Sequence, residues 1–93
     1  MNVRYTDRAK DDVEMAFAWY EKQQNGLGLE FLASVELSLK KIQGDPEMYQ
    51  RIYAGFRRCV VRRFPFSIFY TVEAEGVVIH SVFDNRQNPG KRP

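Results

Sequence analysis

The sequence predicts an α+β domain in the order β-α-α-β-β-β, an antiparallel twisted sheet covered on one face by a helical hairpin. Three observations carry that expectation. Apolar residues recur at helical spacing from Ala9 to Ile42 and then give way to β-branched and aromatic runs from Phe56 onward. A joint of a few residues at Asn25-Gly26 separates two helical stretches, which forces them antiparallel. Pro65 and Ala74-Glu75-Gly76 punctuate the later runs at intervals short enough for hairpins.

Each element has its own justification. Asn2–Thr6 alternates, Val3 and Tyr5 on one face and Asn2, Arg4 and Thr6 on the other, as a short strand does. Thr6 is placed to cap the next segment, and Asp7, Asp11 and Asp12 crowd its start, where the helix dipole favours acids. Ala9, Val13, Ala16, Phe17 and Tyr20 make the inward stripe of the first helix. Gly28 opens the second helix, with Leu32, Val35, Leu39 and Ile42 inward, and Gly44-Asp45-Pro46 stops it. Strands follow at Phe56–Phe64, Phe66–Glu73 and Val77–Asp84. Asn85–Pro93 is polar and bounded by proline, with a mobile tail expected from about residue 87.

The chain has 93 residues, enough for one domain over 1–93 and too few for a second core. The lone Cys59 rules out an internal disulfide framework and a cysteine-rich zinc site, and suits a reducing cytoplasm. No basic-then-apolar start suggests secretion, and the apolar runs are too short to span a bilayer. The net charge of +2 conceals a division. Residues 7–47 hold nine acids against five bases, whereas residues 48–93 hold eight bases against three acids. Seven of those eight bases are arginine, whose planar fork suits phosphates and carboxylates. Such asymmetry points to an anionic partner on the strand-rich part.

Arg57, Arg58, Arg62 and Arg63 fall within seven residues of one expected strand. Alternation would place Arg58 and Arg62 on one face and Arg57 and Arg63 on the other. An exposed arginine pair suits a phosphate backbone or a partner's carboxylates. His80, the only histidine, stands between Ile79 and Ser81 with no acid or nucleophile beside it in sequence, and reads as structural. No spacing of His, Cys and Asp suggests a metal, and no motif implies a cofactor. Cys59 reads as a small buried residue. Trp19 lies off the Val13/Phe17/Tyr20 stripe, so its ring either covers another edge of the helix or meets a partner.

Taken in order, several segments resemble the RelE/ParE family of small toxins from bacterial type II toxin–antitoxin pairs. They are Ala9-Lys10-Asp11-Asp12-Val13, Trp19-Tyr20-Glu21, and Gly26-Leu27-Gly28-Leu29-Glu30-Phe31-Leu32. Ile42 with Pro46, Arg57-Arg58, Val61-Arg62-Arg63-Phe64-Pro65-Phe66 and Ile68-Phe69-Tyr70 follow. Val82-Phe83-Asp84-Asn85-Arg86 and Asn88-Pro89 close the series, which covers nearly the whole chain. The resemblance implies a cytoplasmic toxin that arrests growth and is neutralised by a cognate antitoxin, with operator DNA contacted only through that antitoxin.

Two modes of action share the scaffold. RelE-like members cut messages on the translating ribosome, and ParE-like members, the plasmid-stabilising kind, poison DNA gyrase by binding. For a ribonuclease the resemblance points to Arg58, Arg62 and Arg86. Ser67 replaces the arginine expected before Ile68-Phe69-Tyr70, and the tail after Arg86 has no tyrosine. Those replacements, with the Gly26-Leu27-Gly28 joint, favour the ParE-like binder over the messenger-RNA endoribonuclease. For target and antitoxin binding the candidates are Arg57, Arg58, Arg62, Arg63 and Arg86.

Overall fold

A computed structural model describes residues 2–93. Strand β1 (Asn2–Tyr5) leads into helix α1 (Asp7–Gln23), and helix α2 (Leu27–Gly44) returns beside it. Strands β2 (Arg51–Tyr53), β3 (Phe56–Val60), β4 (Phe66–Glu73) and β5 (Gly76–Asp84) complete a sheet in the order β1-β5-β4-β3-β2. Thr6 caps α1 as its sequence position suggested, its side chain accepting the Ala9 amide at 3.1 Å.

The helical hairpin is held by chemistry and by a close approach. Glu21 near the end of α1 accepts the Gly26 amide at 3.0 Å and the Gly28 amide at 2.8 Å, filling orphan donors at the start of α2. A Cβ on Gly28 would lie 2.8 Å from both the Phe17 ring and the Phe17 carbonyl, so only glycine lets the helices meet there. The core lies between hairpin and sheet. Tyr20, Phe31, Phe64 and Phe66 pack edge-on or stacked at 5.0–6.1 Å between ring centres, above Ile68, Tyr70 and Ile79. The Tyr70 hydroxyl donates to the Pro46 carbonyl at 2.7 Å, and burial pushes its pKa up to about 12. On α2 the inward face is turned slightly from the expected stripe. Phe31, Val35 and Ile42 are buried with Ser34 and Ser38, while Leu32 and Leu39 are partly covered.

The sheet departs from expectation in three respects. It is mixed, because β1 lies parallel to β5, pairing Arg4 with Val78 and Tyr5 with Ile79. Short connections fix the direction only of consecutive strands, and β1 reaches β5 after two helices and three strands. A fifth strand, β2, pairs with β3 through Ala54-Gly55, both at positive φ, the geometry of a tight hairpin turn. Ala-Gly is a weaker written signal for that turn than Asn-Gly. Finally, β3 ends at Val60 rather than Phe64. Arg63 takes a left-handed φ of 72°, and the Val61 amide closes onto the Phe66 carbonyl at 2.9 Å, so residues 62–65 form a turn.

At the far end of the sheet, Gly76 adopts φ +145° and approaches β1 so closely that a Cβ would meet the Asn2 carbonyl oxygen. Beyond Asp84 the chain bends back through a 3₁₀ turn at Pro89–Lys91, capped by Asn88. Arg8 on α1 donates to the Lys91 carbonyl there.

Candidate functional site

The early end of β3 separates the arginines that strand alternation would have paired. Arg57 faces the hairpin side, its side chain only 16% exposed, and donates to the Tyr49 carbonyl at 2.7 Å and the Glu47 carbonyl at 3.0 Å. It anchors the loop after α2 and has little surface to offer. Arg58 points to the opposite face, giving its Nε to the Ser67 hydroxyl at 2.9 Å, while that hydroxyl donates to Asn85 Oδ1 at 2.9 Å. Arg63 reaches Glu30 at 2.7 Å and ties the β3–β4 turn to the first turn of α2. Arg62 is exposed, and among the described residues no carboxylate pairs with it.

Arg86 belongs to a different surface. Its guanidinium grips both carboxylate oxygens of Asp84 at 2.9 Å, and its own amide bonds the same carboxylate. Those bonds, the guanidinium first among them, hold the Asp84 carboxyl below the usual carboxylate range. The guanidinium also lies 5.7 Å from the Trp19 ring centre. Trp19 is 50% exposed and meets Tyr20 edge-on at 5.1 Å, and Met15, one helical turn earlier, is 72% exposed. Together they rim a groove of about 430 Å³ whose floor includes Ala16, Phe66 and Val82 and whose ends carry Arg8 and Arg86. Arg8 is paired there with Asp12 and Arg86 with Asp84, so the groove offers an apolar rim with an ion pair at each end, which suits an amphipathic segment.

Three further candidates are placed by the fold. Cys59 is buried, and burial pushes its thiol pKa up despite hydrogen bonds from Tyr49 and Ser38. Ser67, which stands where a ribonuclease would need an arginine, is fully buried in the Arg58–Asn85 network. His80 is the extra residue of a β-bulge where the β4–β5 register shifts between Phe69 and Tyr70. Its Nε2 lies 2.9 Å from the Thr71 hydroxyl and its ring 4.9 Å from Phe56, and burial lowers its pKa.

Sequence reasoning missed the Met15–Trp19 groove, although an exposed pair one helical turn apart beside an Asp-x-Arg pattern was its available signal. Among the described residues no group of three His, Cys, Asp or Glu side chains is placed to hold a metal. No described helix is long and apolar enough to cross a membrane.

Residues 3–89 match the family model of the ParE toxin of the type II toxin–antitoxin system parDE. A solved structure titled as a chromosomal ParDE toxin–antitoxin system from P. aeruginosa contains a similar chain, with a TM-score of 0.80 at 18% identity. The likeness covers 90% of this chain and 95% of that one, and at such identity it speaks to fold. No curated protein sequence matches significantly.

Proposed function

This chain belongs to the ParE toxin family of type II toxin–antitoxin systems, and on that premise we propose that residues 1–93 act as one toxin domain in the cytoplasm, poisoning DNA gyrase by binding until a cognate antitoxin neutralises it. The observation that carries the binding reading over messenger-RNA cleavage is the state of Arg86. A ribonuclease needs that guanidinium free for the scissile phosphate, with a proton-transfer group beside it. Here its Nε/Nη2 edge is taken by both carboxylate oxygens of Asp84, whose negative charge would oppose an incoming phosphate.

The antitoxin reading rests on the groove along α1. An acidic, amphipathic segment would fold on contact, seating an apolar side chain between Met15 and Trp19, beside the Arg8–Asp12 and Arg86–Asp84 ion pairs. The exposed Arg62 and the Arg63–Glu30 pair are further points for its acids, and Arg58 offers one on the opposite sheet face. Operator contact belongs to the antitoxin in this reading.

Purified protein added to a gyrase supercoiling assay should inhibit it or trap cleaved DNA, and antitoxin should reverse the effect. Normal supercoiling at excess toxin would remove gyrase as the target. Cuts in ribosome-bound messages that vanish in Arg86→Ala would install the ribonuclease reading instead.

A further inference from the structure

Phe69 and Phe83 face away from the hairpin and are nonetheless buried. Phe69 pairs with Arg58 across β3 and β4, and Phe83 with Ser67 across β4 and β5, which sets both rings on the Arg58 side of the sheet. The hairpin covers the other side, yet Phe69 is 0% and Phe83 4% exposed. Their cover is the end of the chain. Arg92 spreads its guanidinium over both rings, 5.4 Å from the centre of Phe69 and 6.0 Å from that of Phe83. The rings themselves meet edge-on at 6.0 Å.

Little holds this cover down. The Asn88 side chain accepts the Gly90 amide at 2.9 Å, and the Lys91 and Arg92 amides close onto the Asn88 and Pro89 carbonyls at 3.0 and 3.1 Å. That is a single 3₁₀ turn, whose hydrogen-bond geometry is poorer than that of an α-helix. Besides the Arg92 contacts, the turn is tied to the fold by the bond from the half-exposed Arg8 side chain to the Lys91 carbonyl. Arg92 Nε is buried without a partner, which opposes docking, because water satisfies that donor once the chain is released. Opening of residues 88–93 is therefore a local event that leaves the main core between hairpin and sheet intact.

The strap so formed shares residues with the α1 groove. Arg8, Phe83 and Gln87 all line that groove. The docked strap fixes two of them, Arg8 through the Lys91 carbonyl and Phe83 through the Arg92 guanidinium, and Gln87 is the residue that leads into it. The groove is open while the strap is docked, so an occupant and the strap use one arrangement of these residues and do not compete for space. Resting on the reading of the groove as the antitoxin site, we propose that residues 88–93 are a strap coupled to it: an occupied groove holds the strap down, and a docked strap raises the affinity of the groove. The strap settles Arg8 and Phe83 before the partner arrives, so less ordering remains to be done on binding, and linkage makes the effect reciprocal. The antitoxin thereby keeps Phe69 and Phe83 covered on the side of the sheet away from the hairpin, and its departure lets the strap open and bare both rings.

Calorimetric titration of the whole protein with its purified cognate antitoxin, beside amide exchange with and without that antitoxin, tests the coupling. Asn88→Ala removes the acceptor for the Gly90 amide, changes no charge and lies outside the groove, so it loosens the strap alone. Asn88→Ala and Arg92→Ala should each weaken antitoxin binding by about fivefold or more, the lower end of ordinary coupling between sites. Lys40→Ala, exposed on α2, should leave it unchanged. In the unaltered protein the antitoxin should slow exchange at the Lys91 and Arg92 amides by a comparable factor. Weakening by only one of the two strap variants would overturn the proposal, Arg92→Ala alone marking a direct contact with that guanidinium. Exchange at Arg92 that the antitoxin leaves alone or quickens would overturn it too. If Trp19→Ala weakens binding and neither strap variant does, the coupling falls and the groove reading stands. If Trp19→Ala has no effect, the groove reading falls and takes the coupling with it.

Discussion

The Asp12 carboxylate substitutes for a strand. Its Oδ2 accepts the Val82 amide at 3.0 Å and the Ser81 hydroxyl at 2.8 Å, on the outer edge of β5 where β1 no longer reaches. Strand β1 ends at Tyr5 opposite Ile79, so the remaining length of β5 would expose a bare edge. Helix α1 lies over it with one carboxylate aimed at the free amide. Asp12→Ala should cost about 1–3 kcal/mol, the range for stranding a buried donor that had a charged acceptor. Urea unfolding measures that loss, and amide exchange should quicken first at Val82.

Gly28 sets the separation of the helices. A methyl group there meets backbone as well as ring, so neither neighbour yields cheaply. Gly28→Ala should destabilise by about 1–3 kcal/mol through overpacking, despite the better helix propensity of alanine. Glu21→Gln keeps the shape but weakens the acceptor for the Gly26 and Gly28 amides, and should cost about 1 kcal/mol. Denaturant midpoints of the two variants distinguish a packing loss from a capping loss.

These two cases show what the written sequence reveals. The helical hairpin was legible because its signals are local: a threonine cap, an apolar period, a glycine joint. The β3–β4–β5 meander was legible for the same reason. The parallel docking of β1 was not, since nothing within Asn2–Tyr5 names its partner, and β2 at three residues falls below any periodic signal. Among candidate site residues, Arg86 is named by the sequence, but its fixation by Asp84 requires a turn that only the fold defines. Strand alternation puts Arg57 and Arg58 on opposite faces, as the fold has them, but only the fold gives one a loop to anchor and the other an open surface.

Acid should weaken the fold in two steps. The neutral form of His80 is favoured by burial, with Arg4 adding to the effect and Glu73 opposing it, while Thr71 and Phe56 face the ring. The unfolded chain therefore takes up that proton at higher pH than the folded one, and stability declines as pH falls below about 6.5. Asp84 has the same sign in a lower window. Its depressed pKa contributes stability that is complete above the unfolded value of about 3.9 and is lost as pH falls through the folded one. Thermal melts from pH 8 to 3 should show both declines. His80→Gln should remove the first and Arg86→Gln the second.

Trp19 should prove the centre of the antitoxin contact. Half of its surface is open, and its buried edge rests on Tyr20, so truncation leaves the core ring cluster in place. The Arg86 guanidinium over its face orients the ring and raises its value to a partner that carries both an apolar side chain and an acid. Large exposed aromatics flanked by arginine supply most of the energy in such contacts, at about 2 kcal/mol or more each. Trp19→Ala should therefore weaken antitoxin binding by at least about thirtyfold while changing the melting temperature little. Arg86→Ala should weaken it less and flatten its salt dependence, since Asp84 is then left as an uncompensated negative charge at the groove. Arg57→Ala should do the reverse, lowering the melting temperature through the freed Glu47–Tyr49 loop with little effect on affinity. Calorimetric titration with the antitoxin, beside thermal melts of each variant, decides the assignment. Equal losses of affinity in Trp19→Ala and Arg57→Ala would move the contact from the α1 groove to the α2–β2 loop.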